Sequence, residues 1–189
     1  MSTPRLVTTV DRDLMDLVLS PYKPDCRYLH AAEVAVYPEG ERVTIEGRGR
    51  FSIERSAYIA DTGHFNTVEF IVCMNQLGYV TIAETVVKQL AYPDQLGGWT
   101  LATFLERQLP NVLILKVEAK MRSQIDPADF SATMRCEAVR RNGETILISF
   151  SLAFFDRADG RAEGSALIAL TPPATPPAHR PAPRAPEMP

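Results

Sequence analysis

The sequence predicts an α+β domain in which an antiparallel sheet wraps around one long helix. Three observations carry this expectation. The segment 68–87, VEFIVCMNQLGYVTIAETVV, is apolar around nearly its whole circumference, so it asks to be enclosed on all sides. Two segments that alternate with period two precede it and four follow it. Most connections within those sets are short and contain glycine, which favours hairpins and therefore mostly antiparallel pairing. A stretch of this length could cross a bilayer, but Glu69, Asn75, Gln76 and Glu84 would each be costly in hydrocarbon. A helix enclosed by protein is the better expectation.

Each element has its own signal. Residues 11–19 (DRDLMDLVL) read as a short amphipathic helix, and 31–38 and 42–53 read as strands separated by a Pro-Glu-Gly turn. Residues 64–91 have helical length and few breakers, and stop before Pro93. A second helix is expected at 98–109, ended by Pro110. Strands follow at 112–120, 129–140, 144–155 and 163–170, and Arg-Asn-Gly between the second and third of these is a hairpin signal. A sheet curled around a central helix describes the hot-dog fold. By analogy of fold, such domains pair into homodimers or higher homo-oligomers with sites at the seam between subunits.

Composition bounds the rest. The chain has 189 residues, 46% of them hydrophobic and 23% charged, enough to build a packed core. Lys plus Arg is 20 against 23 for Asp plus Glu, a net charge of −3, which argues against nucleic-acid binding through bulk positive charge. Cys26, Cys73 and Cys136 form no C-x-x-C pair and no disulfide framework, which favours a reducing compartment. The amino-terminal residues show no apolar signal region, so a cytoplasmic protein is expected. From Thr171 the chain holds 8 of its 15 prolines and little to bury. The expected division is a folded domain over 1–170 and a Pro-rich tail over 171–189.

The chemistry concentrates where the central helix begins, in the run Ser56-Ala-Tyr58-Ile-Ala-Asp-Thr-Gly63-His64-Phe-Asn66-Thr-Val-Glu69. A helix amino terminus gathers free N–H groups and the positive end of the helix dipole, and can stabilise a carbonyl oxygen that gains negative charge. Gly63 would let backbone approach a ligand closely. Each residue also has a structural reading. Asn66 and Glu69 fit a capping box. His64 could serve as a local hydrogen-bonding residue or as a base whose ordinary pKa suits proton transfer at neutral pH. Tyr58 could pack as a core aromatic. Asn75, in the middle of an apolar helix, must find partners. It follows Asn66 by nine residues, about half a turn around the axis at roughly 100° per residue. The two share a ligand only if Asn66 lies off the regular helix or a partner subunit supplies one of them. There is no G-x-S-x-G, Walker loop, dinucleotide glycine pattern or H-E-x-x-H, and no cofactor or metal is expected.

The run SAYIADTGHFNTVEFIVCMNQLGY, with PYKPDCRYL upstream, resembles the FcoT-type thioesterase family, over roughly residues 15–170. Its members have the hot-dog fold and include long-chain fatty acyl-CoA thioesterases and (2E)-enoyl-[acyl-carrier-protein] glycyltransferases. The latter add glycine to C3 of an α,β-unsaturated acyl thioester, toward isonitrile lipopeptides or β-amino-acid starter units. The resemblance implies a pocket lined by Tyr22, Tyr58, Asn66 and Asn75, with an acyl carrier protein or CoA thioester and glycine as partners.

Such an addition builds negative charge on the thioester oxygen, which donors from the helix start, Asn66 or Tyr58 would stabilise. Glycine must lose a proton first, with His64 the first candidate base and Glu69 the second. Arg27 is a candidate for the glycine carboxylate, although a surface salt bridge is its bland fate. The acyl chain is expected along Phe70, Met74 and Leu77. Plain thioester hydrolysis and a non-catalytic acyl-binding module are the alternatives.

Overall fold

The computed structural model describes residues 3–40, 42–60 and 63–173. Among these, seven strands form one antiparallel sheet: β1 (Leu6–Thr9), β2 (Leu29–Glu39), β3 (Arg42–Phe51), β4 (Val112–Met121), β5 (Phe130–Asn142), β6 (Thr145–Phe155) and β7 (Arg161–Leu170). The helices are α1 (Arg12–Val18), α2 (Thr67–Lys88), α3 (Pro93–Leu96) and α4 (Leu101–Arg107). The sheet order is β1-β2-β3-β5-β6-β7-β4, so β4 crosses over to the far edge. This is the hot-dog arrangement: a long strand-wrapped central helix, here α2.

The strands follow from alternation. Along β6, Ile146, Ile148, Phe150, Leu152 and Phe154 point inward and are buried. On β5, Phe130, Ala132, Met134 and Cys136 do the same. They meet Phe70, Cys73, Leu77 and Val80 of α2, all without exposed surface. Close approach of helix to sheet needs small residues: a Cβ on Gly47 would overlap the Thr81 side chain, and one on Gly164 would lie 2.8 Å from the Phe70 ring.

Gln76, Glu84 and Thr85 of α2 find hydrogen-bond partners inside the protein, and this apolar helix, 72% buried over its most apolar stretch, is a core element. Buried Glu84 accepts from Thr8 Oγ1 at 2.8 Å and pairs with Lys88 at 2.6 Å.

The expected elements appear with shifted ends and three additions. Strand β1, the 3₁₀ turn Pro24–Cys26 and the single-turn α3 were not anticipated. Pro38 and Glu39 stay within β2 instead of forming the turn, which begins at Gly40 with φ +64°. In the second hairpin Asn142 pairs with Thr145, leaving the turn to Gly143 (φ +60°) and Glu144. The last described residues are held to the fold: Thr171 N–H donates to Asn111 O at 2.8 Å, and Asn111 Nδ2 donates to Pro172 O at 2.7 Å. The Pro-rich stretch from residue 174 lies outside the described residues.

Candidate active site

Local sequence shapes the amino end of α2. Asn66 is the N-cap, in extended conformation, and its Oδ1 accepts from the Val68 and Glu69 N–H groups at 2.9 and 3.3 Å. Glu69 completes a capping box by accepting from the Asn66 N–H at 3.3 Å. Phe65 and Phe70 flank the cap with ring centroids 6.3 Å apart, a hydrophobic staple. Phe65 also sits 4.8 Å from Phe130 and 5.0 Å from Phe154, so an aromatic cluster clamps this helix end onto the sheet.

Beside that end lies a cleft of about 320 Å³, lined by His64, Asn66 and Thr67 on one side and by Met121, Arg122 and Ser123 after β4 on the other. His64 is exposed at its edge, and Gly63 takes the left-handed conformation at φ +69°. The cap occupies the Val68 and Glu69 N–H donors. Glu69 is 2% exposed and its carboxylate faces the cap. That burial sets it back from the cleft, in the structural half of its two expected roles.

A second set of polar residues surrounds the middle of α2. Gln76 has no exposed surface. Its Oε1 accepts from the Tyr28 and Leu29 N–H groups at 2.9 and 3.0 Å, and its Nε2 donates to Cys26 O at 2.6 Å. This side chain pins the segment carrying Tyr22 and Arg27 against the helix. Burial pushes the Tyr22 phenol well above its usual pKa, with the Tyr79 hydroxyl and Cys73 thiol adding to the effect, and burial raises Tyr79 as well. Both phenols are therefore neutral donors at physiological pH.

Asn75 and Tyr79, one turn apart, line a slot between α2 and the sheet. Arg27 departs from expectation: its Nε donates to Tyr22 O at 3.2 Å and a terminal nitrogen to Ser20 O at 3.3 Å, so the fork is engaged by its own loop. Tyr58, 51% exposed, stands in the loop before α2 and does not pack in the core.

Within one chain, therefore, Asn66 and His64 share the cleft, Tyr22, Asn75 and Tyr79 gather near the middle of α2, and Tyr58 joins neither. Asn66 and Asn75 are separated by about 13 Å along the helix axis, at 1.5 Å per residue. The expected acyl path also needs correction. Phe70 and Leu77 are fully packed in the core, whereas Met74 borders the slot beside Asn75. Sequence reasoning missed Tyr79, Gln76 and Arg122 as members of these sites. Tyr79 carried a signal, its four-residue spacing from Asn75. Gln76 carried only its polarity within an apolar helix and Arg122 carried none, because their partners lie 41 to 50 residues away.

Comparison with known proteins gives this geometry a context. The family described as FcoT-like thioesterase domain matches residues 17–170. A Mycobacterium marinum protein named (2E)-enoyl-[ACP] glycyltransferase is 35% identical over 166 residues, covering 86% of this chain and 87% of that protein. A Streptomyces coeruleorubidus protein of the same name is 35% identical over 164 residues, covering 84% of this chain and 96% of that one. Among solved structures, yhdA from Lactococcus lactis, assigned as a thioesterase, superposes with TM-score 0.51 at 8% identity over 77% of this chain and 95% of its own. The dehydratase domain of RzxB from Pseudomonas fluorescens gives TM-score 0.52 at 12% identity over 89% of this chain and 53% of its own. The structural likenesses bear on fold alone.

Proposed function

The chain belongs to the FcoT-like thioesterase domain family, and from that premise we propose that it adds glycine to the β-carbon of a (2E)-enoyl thioester on an acyl carrier protein. The relatives' shared name supports the choice of reaction. The observation that carries it is the cleft at the amino end of α2, which His64, Asn66 and Thr67 line together. In the reaction glycine's ammonium loses a proton to His64. The freed amine forms a bond to C3, the C2–C3 π electrons move to C2, and charge develops on the thioester oxygen as an enolate. In this reading Asn66 and the helix start donate to that oxygen, each donor worth about 10²–10³ in rate. C2 then takes up a proton, giving a 3-[(carboxymethyl)amino]acyl thioester with no group lost. Tyr22 and Asn75 bind the substrate farther along the helix, with Gly63 leaving room for backbone to approach it.

A homodimer supplies the missing half of the site. Edge strand β4 exposes Leu113, Ile114 and Leu115, and it adjoins a half-covered stripe of α2 formed by Val68, Ile71, Val72, Asn75 and Tyr79. An apolar sheet edge of this kind calls for a cover. The helix runs antiparallel to β4, its start beside Met121 and its middle beside Ile114. A two-fold axis through the middle of β4 would set Asn66 of one copy against Asn75 of the other. The three cysteines are free thiols, in keeping with the cytoplasm. The β-amino acyl product suits either an isonitrile lipopeptide or a β-amino-acid starter unit.

Incubation with (2E)-enoyl carrier protein and glycine tests the reading: the carrier-bound acyl group should gain the mass of one glycine. An unchanged carrier mass would overturn it. Glycine-independent release of a saturated acid would establish the second reading, thioester hydrolysis, which the family's thioesterase description favours.

A further inference from the structure

The slot beside Asn75 lies between the half-covered face of α2 and the sheet. Its walls are apolar, with Met134 and Phe150 from the sheet, and small residues stand on both sides, Gly78 on the helix and Ala166 on β7. Met134 is 1% exposed, and its Sδ and Cε lie 3.6 Å from where a Cβ on Gly78 would sit. The free space left is about 10 Å³, close to what one water occupies. The other route along the helix is shut, because Phe70 and Leu77 are fully packed.

We infer that this slot receives the far end of the acyl chain, that Met134 facing Gly78 limits its length, and that the acceptor is a short-chain enoyl thioester. The inference rests on the proposed reaction for the identity of the substrate and on the proposed two-fold axis, which sets this slot beside the partner copy's cleft, and it adds to them the chain length and the residue that measures it. An unbranched thioether side chain can swing to admit a carbon or two, but a long chain would have to displace the packed core behind it. Gly78 provides the width of the slot and Met134 its depth.

Crotonyl-, hexenoyl-, octenoyl- and decenoyl-carrier proteins with saturating glycine form the test, read as kcat/KM for each length. For the unaltered protein the value should fall by about tenfold or more once the chain outgrows the slot. Met134→Ala should raise decenoyl relative to crotonyl by about tenfold or more. Gly78→Ala, whose new methyl makes only ordinary contact with Met134, should steepen the fall between crotonyl and hexenoyl. A flat or rising profile for the unaltered protein, or variants that scale every length equally, would overturn the inference. If Met134→Ala does not fold, the unaltered profile and Gly78→Ala decide it. If no glycine is incorporated at any length, the proposed reaction fails separately, and the dissociation constants of the same chain lengths as saturated acyl-carrier proteins still read the slot.

Discussion

Replacing Gln76 tests how the Tyr22 segment is held, and its size follows from the hydrogen bonds. In Gln76→Leu two buried N–H groups, of Tyr28 and Leu29, and the Cys26 carbonyl lose their partner together. Leaving a buried polar group unsatisfied costs about 1–3 kcal/mol, so the two N–H groups alone imply about 2–6 kcal/mol. Against a total stability on the order of 5–15 kcal/mol, and at about 2–4 °C per kcal/mol for a chain of this size, the melting temperature should drop by roughly 10 °C. Gln76→Glu separates geometry from charge. One carboxylate oxygen keeps both acceptor roles, while the other faces the Cys26 carbonyl, where only a protonated carboxyl can donate. Burial and that carbonyl raise the folded-state pKa of this Glu above its unfolded value of about 4.3. The folded state then binds more protons than the unfolded one. Stability relative to the unaltered protein should therefore be greatest below about pH 4.3 and fall by up to about 1.4 kcal/mol per pH unit above it, until the folded pKa is passed. Denaturant titrations of both proteins between pH 4 and pH 8 read the difference. A difference that stays flat or grows in favour of Gln76→Glu as pH rises, or a melting temperature for Gln76→Leu within a degree or two of the unaltered one, would refute the reasoning.

Asn66→Asp should keep the cap and the melting temperature but lose the carboxamide donor, lowering kcat about 10²-fold, whereas Asn66→Ala should also lose about 1 kcal/mol of stability by thermal melting. His64→Ala, at an exposed position, should leave the melting temperature unchanged and cut the rate of glycine addition by about 10²–10⁴. If the proposed dimer forms through β4, Leu115→Lys, at the most exposed leucine of that strand, should give a monomer in sedimentation and remove activity with it, and a dimer unaffected by the change would rule out the β4 seam. Because burial keeps Tyr22 protonated, a pH–rate profile between pH 6 and pH 9 should be the same in Tyr22→Phe as in the unaltered protein, at a lower plateau.

The legible parts of this protein were those whose causes lie close together in the chain. Asn66 and Glu69 lie within one turn of each other, and the capping box they form is visible as spacing alone. The alternation along β5 and β6 and the apolar circumference of α2 likewise marked two strands and an enclosed helix without coordinates. Strand β1 escaped notice because it is short, mostly exposed and lies at the sheet edge, so no burial pattern marks it. The crossover that sets β4 beside β7, and so brings Arg122 to the cleft opposite His64, belongs to topology and leaves no local trace. The same holds for Gln76, a polar residue in an apolar helix whose importance appears only once the chain returns past it. Spacing along one helix dictates which side chains can cap, staple or share a face. Which distant carbonyl, strand edge or second copy they meet is decided by packing, because loop closure brings those partners together only when the whole sheet has wrapped around α2.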